Sequence, residues 1–503
     1  MENIFLNLKN GSAAPLPELP APGFEDFKNL LKRSVLQENM RVASFFAMPE
    51  EDDFRLTAVL ADDKTSLLKL VSTIVGKSYS ALTPEIPALH WFEREIYEQY
   101  GIVPENHPWL KPIRFHNSFD SDIADRPVPG VTDYLQMTGD AAHEVAVGPV
   151  HAGVIEPGHF RFQCMGEKVY FLEIELGYQH RGIEKMLLDA PDKKTLHLIE
   201  TAAGDSSCAS ATAYAQIIEA LTETIPSAGA SGIRQVAMEL ERIANHTGDL
   251  GALAGDVAFL PTASYCGRIR GEYLNMSATL CGNRFGRNMI VPGGIAVSVD
   301  KARAEKILAH LKSSCKDLDN ALSLMFNTPS VLDRFENTGS VTLEQCRQTG
   351  LVGVAARACG SDMDVRKNFP YSDYDQKFFA DGICGTGGDV FARADVRRRE
   401  IAVSHGIIIR ELEKIVNTVE KSPDITPSTL PPDMIAVSMV EAWRGEMCHT
   451  AVTGKNGKFR RYKIVDPSFH NWFGLALALR GEEISNFPIC NKSFNLSYCG
   501  HDL

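Results

Sequence analysis

No Cys-x-x-Cys pair occurs anywhere in this 503-residue chain, and no cysteine precedes Cys164. Any metal or redox centre built on that pair is excluded with it. The eleven cysteines are an odd number, scattered between Cys164 and Cys499. Together with the missing export signal, this predicts free, mostly buried thiols rather than a disulfide framework. Also absent is an apolar run approaching the roughly 18 residues that a membrane-spanning helix needs. The opening segment "MENIFLNLKNGSAAPLPELPAPGF" has neither the basic region nor the apolar stretch of a signal peptide, so a cytosolic protein is expected. Basic charge is in deficit: 51 Lys and Arg stand against 64 Asp and Glu, a net charge of −13. Broad nucleic-acid binding, which depends on cations neutralising phosphates, is excluded on that ground.

What is present describes a globular protein, with 44% apolar and 23% charged residues. The length predicts two to four domains. A Pro-rich lead, "GSAAPLPELPAPG" over residues 11–23, reads as an extended linker. Mixed α/β patterning follows from Phe24: "FEDFKNLLKRSV" has helical spacing, "RVASFFAM" and "FRLTAVLA" read as strands, and "TSLLKLVSTIVG" reads as a helix. A second proline-punctuated polar segment separates this unit from the rest. The expected division is an α/β domain over 24–118, a linker over 119–140 and a larger unit over 141–503. That larger unit begins β-rich, with "FRFQCMGEKVYFLEIEL" as a hairpin turning at "MGEK". Helices dominate from Asp192, including a long packed one in "GIRQVAMELERIANHTGDLGALAGDVAFL" and another from Asp389 to about Glu420. The fold class is α+β, a small α/β domain followed by a mainly helical one.

Three stretches carry a family resemblance. "ALHWFEREIYEQYGIVPENHP" (Ala88 to Pro108) combines a charged amphipathic helix, a Gly stop and a His-Pro turn. By itself it reads as a capped surface helix, but it resembles the signature of the C-type (30 kDa) subunit of respiratory complex I. "GPVHAGVIEPGHFRF" with "LGYQHRGIEKML", and "RIANHTGDLGALAGDVAF", are similar to the D-type (49 kDa) subunit and to the large subunit of membrane-bound nickel–iron hydrogenases. "NRFGRNMIVPGG" and "RYKIVDPSFHNW" lean towards the energy-converting, formate-hydrogenlyase-type hydrogenases. The resemblance covers nearly the whole chain as a C-type plus D-type fusion. It implies packing of the small unit against the larger one, and a peripheral position on the cytoplasmic face of the inner membrane. The implied partners are a B-type small subunit with an iron–sulfur cluster and antiporter-like and H-type membrane subunits, in a complex that couples redox chemistry to ion translocation.

The same resemblance defines what the site should contain. A nickel–iron centre takes four thiolates, because soft sulfur ligands hold both metals, and the family supplies them as two Cys-x-x-Cys motifs. Aligning "IETAAGDSSCAS" puts Ala203 and Ser206 at the early pair, and "KSFNLSY" puts Ser497 and Gly500 at the late pair. Neither alanine nor glycine offers a donor, so the resemblance implies a subunit without its own nickel–iron centre. A rival reading draws unorthodox ligands from Cys208, Cys490 and Cys499 in an active hydrogenase. Another is a non-catalytic scaffold. For quinone, Asp256 aligns with the family's aspartate, the histidine position falls at or beside Gly158–His159, and the tyrosine position near Gly204 has no tyrosine. That speaks against quinone binding in the usual manner.

The cavity candidates are therefore His159, Asp256, Arg181 and Arg268, with Asp205 beside them, as groups for proton transfer. Plainer roles stand beside these. His246 reads as a hydrogen-bonded packing residue, and His180–Arg181 as a turn before a helix with Glu184 at its start. Arg268 and Arg270 read equally as partners of acids such as Glu272. "ICGTGGDV" lacks the Lys-Ser/Thr of a phosphate loop and reads as a helix-start turn. The terminal "NKSFNLSYCGHDL" is expected to close the cavity as a strand or turn.

Overall fold

The computed structural model describes residues 4–116, 119, 133–151, 155–423 and 425–503. Most of the expected linker, 119–140, lies outside the described residues. The chain opens with strands β1 (Leu6–Leu8) and β2 (Ser12–Pro15), then helix α1 (Phe24–Leu36). Strands β3 (Arg41–Glu50), β4 (Asp53–Asp62) and β5 (Leu67–Val75) form an antiparallel sheet in the order β1-β5-β4-β3. "TSLLKLVSTIVG" is therefore strand, not helix. Val71, Thr73, Ile74 and Val75 are β-branched or hydroxyl-bearing residues that suit a pleated, two-sided surface, and pairing on both edges outweighs the helical spacing. The short strands β6 (Ser78–Ser80) and β7 (Val103–Glu105) flank helix α2 (His90–Tyr100).

The Pro-rich lead is not a free linker. Residues Ser12–Pro15 pair antiparallel with a strand more than 400 positions later, Met434↔Pro15 to Val437↔Ser12. They complete the sheet β15-β14-β13-β2, made with β13 (Met434–Ala442), β14 (Gly445–Thr453) and β15 (Phe459–Val465). Between these lie β8 (Ala142–Val147), β9 (His159–Met165) and β10 (Lys168–Glu175), whose β9–β10 turn falls at Met165–Lys168 as expected.

Helices follow from α3 (Ile183–Met186) and α4 (Thr195–Thr201) to α5 (Ser207–Thr222), the long α6 (Ala228–Asp256) and α7 (Leu260–Cys281), whose Pro261 sits in its first turn. After the small pair β11 (Ile290–Val291) and β12 (Gly294–Ile295) come α8 (Lys301–Phe326), α9 (Pro329–Phe335), α10 (Leu343–Thr349), α11 (Gly353–Ala358), α12 (Val365–Asn368) and α13 (Val390–Glu413). Asp389 caps α13 by accepting from Ala392 N at 2.8 Å, so the Gly-rich stretch before it is a helix start. The chain ends in α14 (Pro467–Ala478), α15 (Phe487–Phe494) and α16 (Tyr498–Asp502). The tail is thus helical rather than a closing strand. Among the described residues, no helix is long and apolar enough to cross a membrane.

α6 packs between α7 and α13, and one apolar core runs from Phe27 on α1 and Phe45 in the first sheet through Leu240 and Ile243 to Trp472. Helix α2 shows why the first unit belongs to that body. It does not behave as a surface helix: Glu93, Arg94, Glu95, Glu98 and Gln99 are all buried. Burying a charged face is costly unless its groups are met, and each of these side chains has partners, with only Arg94 Nη1 and Glu95 Oε2 left without one. Glu93 accepts from Leu82 N, Thr83 N and Thr83 Oγ1, while Arg94 donates to the carbonyls of Lys111 and Pro112.

Candidate functional site

Residues 202–206, between α4 and α5, meet the C-terminal helix α16. Arg181 joins the two, donating to the carbonyls of Thr201 and Ala202 on one side and of Cys499 on the other. The tail is fastened further by the "GYQHRG" turn. Gly177 N and Gln179 N each donate to Asp502 at 2.8 Å, and Arg181 N and Gly182 N to Leu503 O at 3.1 Å. His501 stacks on Phe469 with ring centroids 5.5 Å apart and lies 2.9 Å from Asp502. Glu156 reaches the same place, accepting from Tyr498 N at 3.2 Å and Cys499 N at 3.4 Å. Gly158 has no side chain where the Tyr498 ring packs against it.

The four aligned positions all fall in or beside this junction, and protein groups fill it. A Cβ on Gly500 would sit 2.7 Å from Cγ and Oδ2 of Asp466 and 2.9 Å from Ser497 Oγ. Ser497 caps α16 by accepting from Gly500 N at 2.9 Å, and Asp466 caps α14 by accepting from Ser468 N at 2.7 Å. The second Asp466 oxygen has no hydrogen-bond partner, and burial pushes this carboxyl above the ordinary range against the pull of Arg444. Arg444 grips Asp205 with two bonds, at 2.7 and 2.8 Å, and donates to Asn495 O at 2.6 Å. Asp249 is held by Arg397 at 2.8 Å and by Asn495. Ala203 and Ser206 are buried behind this set.

The cysteines considered as alternative ligands do not converge. Cys208 Sγ lies against Phe285 O at 3.8 Å, Cys490 packs beside Gly339, and Cys499 lies 3.4 Å from Ser497 Oγ. Burial pushes the Cys490 and Cys499 thiols up to about 12 and Cys208 well above its usual value, so all three are neutral at pH 7. Among the described residues, no group of three or more His, Cys, Asp or Glu side chains is placed to hold a metal ion.

Known proteins share this arrangement's sequence framework. The profile described as "Respiratory-chain NADH dehydrogenase, 30 Kd subunit" matches residues 25–128, and that of the 49 Kd subunit matches residues 256–431. The chain joins the 30 and 49 kDa subunit families of complex I in one polypeptide. Its relatives include the carbon monoxide-induced hydrogenase of Rhodospirillum rubrum, 29% identical over 356 residues, which are 71% of this chain and 98% of that protein. Formate hydrogenlyase subunit 5 of Escherichia coli is 27% identical over 449 residues, covering 84% and 76% of the two chains. The fused C/D subunit of the NADH-quinone oxidoreductase of Bdellovibrio bacteriovorus is 25% identical over 462 residues, covering 84% and 82%.

Within this complex I-type fusion, the expected cavity residues do not form one cluster. Arg181 touches both halves of the junction. His159 begins β9, buried, with Nδ1 3.4 Å from Gly148 O and its ring 5.7 Å from that of Tyr134. Asp256, at the C-terminal end of α6, is exposed. Arg268 is half exposed on α7 and pairs with Asp317 at 2.6 Å, with Glu272 at 3.9 Å, which is the surface ion-pair reading. Glu156, Asp466, Arg444 and Asn495 were not singled out by sequence. The Asp466–Pro467 pair is a legible helix cap, whereas Arg444 sits in a hairpin turn with no periodic signal.

Two buried ion networks frame the junction. Behind the early loop, Arg242, Arg357 and Arg366 meet Glu239, Glu400, Glu441 and Asp364. His246 Nε2 lies 2.8 Å from Glu400, a packing role as expected. Burial pushes Glu441 up to about 7, against the pull of Arg357. At the seam between the two family units, Lys463 bridges Glu95 at 2.7 Å and Glu184 at 3.0 Å, and Arg461 holds Glu184 at 2.9 Å. Glu184 stands in the first turn of α3, as expected, and is a seam residue as well.

Proposed function

We propose that this chain is the peripheral-arm subunit of a complex I-like, energy-converting-hydrogenase-related oxidoreductase complex, without a nickel–iron centre of its own. The observation that carries the reading is the Asp466 carboxylate, 2.7 Å from the point where a side chain on Gly500 would begin. The residues present do not fit two metals: they offer no thiolate at positions 203, 206, 497 or 500, and hard oxygen groups occupy the space. In this reading the 24–118 unit and the 141–503 unit, joined by the 119–140 linker, act as one body. An iron–sulfur subunit docks against the junction, and antiporter-like and H-type membrane subunits complete the complex on the cytoplasmic face. Redox chemistry there drives ion translocation, with Arg181, His159 and Asp205 as proton-handling groups of this chain.

The test is metal analysis of the purified complex. Iron at cluster stoichiometry with nickel far below one per complex is the expected result. One nickel per copy of this chain would overturn the reading and restore the hydrogenase alternative. If substitution of Arg181 and His159 leaves electron transfer and ion movement untouched, this chain is a scaffold instead.

A further inference from the structure

A cavity of about 560 Å³ lies between the C-terminal half of α5, the start of α6, strand β2 and the loop at residues 370–374. Its size falls within the range of small-molecule sites, and it is built from residues the junction does not use. Among the described residues lining it, Arg234 is the one basic side chain, and its guanidinium is fully engaged. It donates to Gly294 O at 2.9 Å, to Val291 O at 2.6 Å and to both Glu219 oxygens. No free cation is left among these residues to draw an anion.

The unsatisfied groups have the opposite preference. Gln235 is 2% exposed, and its Nε2 donates to Ser372 Oγ at 2.8 Å while Oε1 has no partner. A buried amide oxygen without a donor costs free energy until one arrives. At the mouth stands Glu223, whose carboxylate makes no hydrogen bond or ion pair with another described residue. Its backbone is left-handed, φ 53°, where glycine would be the unstrained choice. The sequence keeps a carboxylate there nonetheless. Tyr371 and Tyr374 add an aromatic wall, with ring centroids 5.3 Å apart and their hydroxyls joined at 3.0 Å. Burial pushes both phenols up, so they stay neutral.

We propose that this cavity binds a small organic cation with amine N–H donors, an ammonium group reaching Glu223 and Gln235 while its alkyl chain lies against the tyrosines. The test is calorimetric titration of the full chain with spermidine, with citrate as an anion of similar size. Saturable one-to-one spermidine binding, no citrate response, and a loss of tenfold or more in Glu223→Gln support the proposal. Glu223 is exposed, so that variant keeps the fold. Gln235→Leu should weaken binding further. Asp317→Asn, a distant surface acid, should leave it unchanged. The absence of saturable spermidine binding, or equal weakening by Glu223→Gln and Asp317→Asn, would overturn it.

Discussion

Gly500→Ala isolates the packing that fills the aligned ligand position. In a free helix the added methyl would stabilise by about 0.5–1 kcal/mol. Here it would start 2.7 Å from the Asp466 carboxyl and 2.9 Å from Ser497 Oγ. Neither neighbour can retreat freely, because each caps a helix, through Ser468 N at 2.7 Å and Gly500 N at 2.9 Å. Losing one cap costs about 1 kcal/mol and overpacking about 1–3 kcal/mol. Set against the helix gain, a net destabilisation of roughly 1–3 kcal/mol is expected. Urea unfolding followed by tryptophan fluorescence reports on the site, since the Trp472 ring lies 4.8 Å from that of Tyr498. Asp466→Ala alone should also destabilise, through its lost cap. Combined with Gly500→Ala it should cost less than the sum, by about 1–2 kcal/mol, because the clash is gone. A Gly500→Ala protein as stable as the parent, or strictly additive effects, would refute the argument that Asp466 fills this place.

Lys463→Met should take one of two cations from each of Glu95 and Glu184, which keep Arg114 and Arg461, and cost about 1.5–3 kcal/mol for the lost charged hydrogen bonds; a shift in the urea midpoint worth less than about 1 kcal/mol would contradict the seam described above. Burial pushes Glu241 from 4.5 up to about 8, although it accepts from Cys208 N at 2.7 Å. A raised carboxyl contributes stability that is complete below its unfolded value and lost as pH rises through the folded one. The contribution of Glu241 should therefore decline from about pH 4.5 to about pH 8, so the stability of the parent relative to Glu241→Gln should fall across that range in denaturation curves. Deleting residues 1–15 removes β1 and β2 and bares the edges of β5 and β13. Concentration-dependent self-association by light scattering is expected, and a monodisperse monomer would count against the pairing.

Sequence determined a good deal here, wherever the controlling physics is local. Periodicity placed α1, α6 and α13, the glycine at position 101 ended α2, and the motif order revealed the fused complex I-type subunits. Tertiary structure decided what depends on distant partners. β5 is a strand because two neighbours pair with it, and the proline-rich lead is ordered because β13, more than 400 residues away, offers an open edge. Likewise, the charged face of α2 reads as solvated until Lys111, Pro112 and the Thr83 backbone are seen to satisfy it. Asp466, Arg444 and Asn495 come from three separate segments, and no one-dimensional pattern foretells that they meet at Gly500 and the early loop. Local propensity is written residue by residue, whereas the burial of charge and the filling of space are properties of the assembled chain.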